Sequence, residues 1–320
     1  MKKNLLVVAF TSLFPLGAVA DVVVYGKANV ALQSVDETEF SSANGNNTDG
    51  SKVELVSNAS RIGIKGGESI SSGLKIIYQF EYQTEVDDGT GSAGTFSQRN
   101  IYVGLQGSAG TLMGGNFDTP TKVIQEKVDL FNDLEGDITA IFKGEIRASN
   151  IVQYTTPTFG GGFAGSVAYI TEENNGSTGV SASFGYTSPD FYFAVAMDQD
   201  VEAEGVDLVR VVGRLTLGAI QLGVLAENYD NGAVDEDGAM VSALWNLTDK
   251  WALKAQYGDS DVRWVDGKSA SIGADYKLSK SATLYGFYTV VENAMPDLPS
   301  PTTDRYRDDN YAGVGLDYKF

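Results

Sequence analysis

The chain has no cysteine and no histidine among its 320 residues. Without cysteine it must hold its fold without disulfides, whatever compartment it occupies. Without histidine it lacks the commonest general base and the commonest metal ligand, so serine–histidine triads and zinc hydrolase sites are excluded. Only 7 prolines interrupt it, against 37 glycines and 16 tyrosines, a balance that suits β-structure with tight turns. Positive charge is also scarce. Lysine and arginine total 23 against 42 acidic residues, a formal charge of −19 that argues against a nucleic-acid partner. No apolar run reaches the eighteen residues of a transmembrane helix.

The first twenty residues read as a leader. Met1-Lys2-Lys3 is a short basic start, Leu5 to Leu16 is mostly apolar, and Ala18-Val19-Ala20 has the small-x-small form of a cleavage site. The expectation is a signal peptide over 1–20, removed after Ala20, and a mature domain over 21–320. Losing Lys2 and Lys3 takes the charge from −19 to −21.

Beyond the leader, short turn signals recur: GGESISSG (66–73), QGSAG (106–110), TTPTFGGG (155–162), YTSPD (186–190), LTLGA (215–219), NLTDK (246–250) and LSKSA (278–282). The later ones fall about thirty residues apart, room for two strands and an outer loop, so the chain reads as repeated hairpins with about sixteen strands. Alternation supports this. Leu74, Ile76, Tyr78, Phe80 and Tyr82 share one face, opposite Lys75, Gln79, Glu81 and Gln83. The final GVGLDYKF sets Val314, Leu316, Tyr318 and Phe320 against Gly313, Gly315, Asp317 and Lys319.

The connections are asymmetric. One end of the hairpins has turns of a few residues, and the other has long acidic loops over 36–51, 86–95, 172–178, 198–207 and 293–309. A soluble sandwich has no reason for that asymmetry, whereas a transmembrane barrel has short periplasmic turns and long external loops. The sequence therefore predicts an all-β fold, a transmembrane antiparallel β-barrel with an apolar outer band and a polar lumen. Phe320 should close the barrel beside the strand that begins near Asp21, because an open edge in lipid leaves backbone groups unsatisfied.

One connection breaks the rhythm. Residues 117–146 are too long for a plain loop and mix carboxylates with Val123, Ile124, Val128, Leu130, Phe131, Leu134, Ile138, Ile141 and Phe142. Such a segment must pack against something. The expected seat is the inner wall near Ile101, Val103 and Leu105, where Tyr102 makes the opposite parity apolar too. An inward-folded constriction loop is the result; an external loop with a short helix is the plainer reading.

Catalytic patterns are poor. Gly160 to Gly165 satisfies G-x-G-x-x-G but opens an alternating strand, and Gly267-Lys268-Ser269 lacks the upstream glycine of a P-loop, where Val262 stands. No carboxylate pair is singled out, no loop has calcium-site spacing, and no metal or cofactor is implied. The signal lies in basic residues on polar strand faces: Lys27, then Arg61 and Lys65, Arg99 and Arg147 flanking the long loop, and Arg210 with Arg214. Each alone reads as a solvated lumen charge. Together, facing loop carboxylates, they would set a transverse field across a narrow passage.

D-V-V-V-Y-G-K, S-R-I-G-I-K-G-G-E, Q-R-N-I-Y-V-G-L-Q-G-S-A-G-T-L-M-G-G, R-A-S-N-I-V-Q-Y-T-T-P-T-F-G-G-G-F and the terminal phenylalanine, in that order, resemble the general porins of Gram-negative outer membranes. The resemblance covers essentially all of 21–320. It implies a sixteen-stranded homotrimeric barrel, a third loop folded inward, and a basic wall cluster that maps onto Lys27, Arg61, Arg99 and Arg147. Tyr318 and Phe320 resemble the signal read by the outer-membrane assembly machinery. The P-E-F-G-G core of the enteric constriction loop is absent, and the acidic side is assigned to Asp118, Glu126, Asp129 and Asp133. The expected function is passive diffusion of ions and small hydrophilic solutes, with cations preferred, in a barrel set among outer-membrane lipid and lipopolysaccharide. The alternatives are a substrate-specific channel with a saturable site, an adhesin-like barrel, and a soluble lectin-like protein.

Overall fold

The computed structural model describes residues 21–41, 46–88, 96–125, 128–171, 178–296 and 304–320. Seventeen strand segments follow one another: β1 (Asp21–Ser41), β2 (Asn46–Ser57), β3 (Arg61–Ser71), β4 (Leu74–Thr84), β5 (Phe96–Gly107), β6 (Gly110–Asp118), β7 (Arg147–Thr155), β8 (Phe163–Ile170), β9 (Gly179–Thr187), β10 (Phe191–Gln199), β11 (Asp207–Leu217), β12 (Ile220–Asp230), β13 (Asp235–Asn246), β14 (Trp251–Ser260), β15 (Val265–Lys277), β16 (Ala282–Pro296) and β17 (Asp304–Lys319).

Segments β2 and β3 are one wall strand. Both pair antiparallel with β1, through Val30 opposite Ser57 and Lys27 opposite Arg61, so that Asn58, Ala59 and Ser60 face only Ala28 and Asn29. This is a bulge, with Ala59 at φ 50° and the Ser60 hydroxyl bonded to both backbone groups of Asn29. The wall thus has sixteen strands, each antiparallel to the next, and β17 returns to β1 with Lys319 opposite Lys27. Gly26 and Phe320 exchange backbone hydrogen bonds of 2.9 and 3.1 Å, so the seam closes at the expected phenylalanine.

The alternation read from the sequence becomes the two faces of the wall. Outward stand Val241 and Trp245 of β13, Leu253 and Tyr257 of β14, and Val314, Leu316 and Tyr318 of β17, all exposed. Between them Ser242, Gln256 and Ser271 point inward. A continuous apolar exterior over a polar interior suits a wall that meets hydrocarbon on one side and water on the other. Among the described residues no helix is long and apolar enough to cross a membrane.

The long connection leaves β6 after Asp118 and rejoins the wall at Arg147, inside the barrel. It begins with a short helix, α1 (Pro120–Ile124), because Thr119 caps it through Lys122 N and Pro120 supplies a preset φ at its first turn. A 3-10 turn follows at Ile138–Ala140, capped by Asp137. Val128, Phe131, Ile138, Ile141 and Phe142 are buried together against Ala194, Ala196, Val212, Leu225 and Met240 of the inner wall. Burial of each such side chain is worth about 1.5–3 kcal/mol, which explains why a chain inside a wet barrel lies flat on it. The wall is shaved to receive it: a Cβ on Gly238 would come within 2.6 Å of the Phe142 ring, and one on Gly258 within 2.7 Å of Ile141.

The seat differs from the expected one. Val103 and Leu105 of β5 face outward, at 59% and 42% exposure, and Tyr102 turns in to pack edge-on against Phe117 at 5.8 Å. The reason is chemical: Lys27, Arg61, Lys65, Arg99 and Arg147 stand on this side, and its apolar patch of Phe117, Ala148 and Ile151 is already packed by Tyr102 and Met113. The half from β10 to β16 offers alanine, valine and glycine.

Candidate functional site: a charged passage between loop and wall

Because the loop lies against β10–β16, it leaves open the side of the lumen walled by β1 to β7. That opening is a cavity of ≈ 660 Å³. The wall supplies Lys27, Arg61, Lys65, Glu81, Arg99 and Arg147, and the loop and its root supply Asp118, Lys122, Asp133, Asp137 and Glu145. All four basic residues expected from the sequence therefore line one space.

Their partners are specific. Lys27 Nζ donates to Asp133 Oδ2 at 2.8 Å, and Arg61 stands 3.8 Å from the same oxygen. Arg99 Nε donates to Glu81 Oε1 at 3.0 Å, whose other oxygen accepts from the Tyr25 hydroxyl at 2.9 Å. Arg147 binds Asp118 at 3.0 Å and the Asn100 side chain at 3.0 Å. Asp133 sits at the tip of the loop with φ 65°, a conformation that aspartate tolerates better than most residues, and Asp137 holds it there by accepting from its backbone N–H.

Of the four carboxylates expected to face this wall, Asp118 and Asp133 do so. Glu126 lies outside the described residues. Asp129 is on the other side of the loop, 6% exposed, accepting from Gln256 and from the backbone of Phe131 and Ile138. It fastens the loop to β14. Glu81, Lys122, Asp137 and Glu145 were not singled out in the sequence, because only the fold shows which of many carboxylates share a space. Arg214 does not reach the cavity lining, and Arg210 is buried beneath the loop.

Burial pushes the Asp133 carboxyl up, but Lys27, with Arg61 and Arg99, more than offsets this and holds it below the usual aspartate range. A depressed carboxyl keeps its bridge at neutral pH and loses it only as pH falls through the lowered value. Burial pushes Asp129 up to about 8 and Glu145 up to about 7, the latter against the Arg210 guanidinium. The Asp133→Asn variant is expected to shift the reversal potential toward anions at neutral pH. Wild type should show that contribution only in acid beyond the range that titrates ordinary aspartates. A reversal potential unchanged by Asp133→Asn at pH 7 contradicts a role for the bridge.

A closed sixteen-stranded barrel, apolar outside and crossed by a charged aqueous passage, defines a transmembrane β-barrel channel. Residues 5–294 match the family model described as Gram-negative porin, and the chain belongs to that family. The major outer membrane protein P.IB of Neisseria gonorrhoeae is 32% identical over 255 residues, spanning 73% of this chain and 69% of that protein. The P.IB protein of Neisseria meningitidis serogroup B is 26% identical over 308 residues, spanning 88% and 90%. Among solved structures, the anion-selective porin from Comamonas acidovorans superposes with a TM-score of 0.69 at 21% identity, covering 94% of this chain and all of that one, and shows the same fold. The chain is an outer-membrane porin, a channel and not an enzyme.

Proposed function

We propose that the cavity lined by Lys27, Arg61, Arg99 and Arg147 of the wall and by Asp118, Asp133 and Asp137 of the loop and its root is the constriction of a general diffusion pore, sorting solutes by size and by charge. The observation that carries this reading is that basic side chains of the wall and acidic side chains of the loop line one cavity, joined where Asp133 meets Lys27 at 2.8 Å. Opposed charges at close range make a transverse field, which favours small dipolar solutes able to align with it.

The pore prefers cations. Seven lysines and arginines line the gap against five side-chain carboxylates and the carboxylate of Phe320, so the constriction is nearly balanced. The outer connections are strongly acidic, with the chain at −19, and an acidic mouth concentrates cations before the gap. Anion preference, the property named for the Comamonas protein, would instead give the wall cluster control.

Family membership supports a homotrimer in the outer membrane, with lipid and lipopolysaccharide around it. The exposed Tyr318 and Phe320 rings, 6.1 Å apart on the outer wall, suit the signal expected for the assembly machinery. The leader over 1–20 and its cleavage after Ala20 lie outside the described residues. The test is permeation into liposomes as a function of solute concentration. Uptake of small sugars rising linearly is expected; saturation at low concentration would replace general diffusion with a substrate-specific site.

A further inference from the structure

We propose that Arg210 is the positioning residue that fixes the width of the pore, by clasping both legs of the inward loop to the barrel wall with one guanidinium. The inference rests on the reading of that loop as the constriction. Arg210 lies on the inner face of β11, a surface that in an empty barrel would be wet, yet it is 0% exposed. Its fork is fully engaged. Nε and NH2 donate to Glu227 Oε2 on neighbouring β12 at 2.7 and 2.6 Å. NH1 donates to the Glu145 carboxylate and, at 3.4 Å, to the Thr121 carbonyl, while NH2 also donates to the Lys143 carbonyl.

Thr121 belongs to the outgoing leg of the loop and Lys143 and Glu145 to the returning leg, so one side chain ties both to β11. Glu227 completes the clasp by accepting from the Lys143 backbone N–H at 3.1 Å. The returning leg passes close enough only because residue 144 is glycine. It has φ 75°, and a Cβ there would stand 3.1 Å from the guanidinium and 2.9 Å from Leu208. A planar fork with five donors meets these acceptors together; a lysine ammonium, with three donors on one atom, does not.

The apolar body of the loop explains why it lies on the wall, but not what stops it rocking. Its legs are the hinges, and the buried clasp is where they are held. A buried pair kept only for stability could be replaced by neutral groups without consequence for permeation. A clasp that positions the loop could not.

The test compares wild type with the triple variant Arg210→Met, Glu145→Gln, Glu227→Gln, which neutralises all three charged members of the clasp and leaves nearby buried Asp198 held by the Thr121 hydroxyl. The variant is expected to form a heat-modifiable barrel whose open-channel current noise rises severalfold and whose cut-off for neutral polyethylene glycols moves to larger polymers. A folded variant with unchanged noise and cut-off overturns the proposal. If the variant does not fold, hydrogen exchange on the wild-type protein decides. The Lys143 amide is expected to exchange as slowly as wall-strand amides, and exchange at the rate of an open loop overturns the clasp. Absence of conduction by folded wild type would sink the diffusion-pore reading itself, a result distinct from either outcome.

Discussion

Replacing Lys27, Arg61 and Arg99 together with glutamine should raise the cation-to-anion permeability ratio by about tenfold or more at low salt. A unit charge about 6 Å from a passing ion contributes roughly 0.7 kcal/mol in a water-like dielectric, so three contribute about 2 kcal/mol for a cation before screening and about as much, with opposite sign, for an anion. Ionic strength near 0.1 M, with a Debye length of about 10 Å, trims this to the stated range, and molar salt should nearly abolish it. The change is reinforced by what stays behind, because Asp133 loses Lys27 and Arg61 and Glu81 loses Arg99. Reversal potentials across a salt gradient measure the ratio. No change in the triple variant would mean that the wall cluster is not the charge filter, and selectivity would then belong to the outer mouth alone.

The second large effect concerns the seat of the loop. Gly238→Val should lower single-channel conductance by roughly half or more, since overpacking a tight interior forces neighbours to move. The added side chain begins 2.6 Å from the Phe142 ring and 2.3 Å from the Ser260 hydroxyl, with the wall backbone behind it. Phe142 is 1% exposed and has nowhere to go along the wall, so the loop must lift toward Lys27 and Arg61. Gly50→Val is the control, because a Cβ there meets nothing within 4 Å. Equal conductance for folded Gly238→Val and wild type would show that the loop does not form the narrow part of the passage.

These effects trace back to what local sequence can and cannot record. The barrel was legible because each wall strand carries its own instruction: Leu74 to Tyr82 or Val314 to Phe320 alternates wherever it pairs. Asymmetric connection lengths then favoured a barrel over a soluble sandwich, inward parity placed Lys27 and Arg61 in the lumen, and the porin resemblance added Arg99 and Arg147 to them. The bulge at Asn58–Ser60, which splits one wall strand in two, was not visible, since it depends on the hydrogen bonds between Ser60 and Asn29.

The loop was legible as a segment that must be covered, but its direction was not. Nothing near residue 128 announces that Gly223 and Ser242, about a hundred residues on, form its floor. For the same reason Asp129 and Asp133, four positions apart, were assigned one role in the sequence and take two. Asp133 faces the basic wall, whereas Asp129 turns to Gln256. Arg210 carried a similar ambiguity. Its inward parity was plain, yet whether water or a loop lies over it is a long-range fact.

The most direct test is single-channel recording of the detergent-purified protein in a planar bilayer under a potassium chloride gradient. The account predicts conductance steps closing in threes, with a reversal potential of the sign for cation preference. Folded, heat-modifiable protein that passes no current would contradict it, because the space between loop and wall would then be closed.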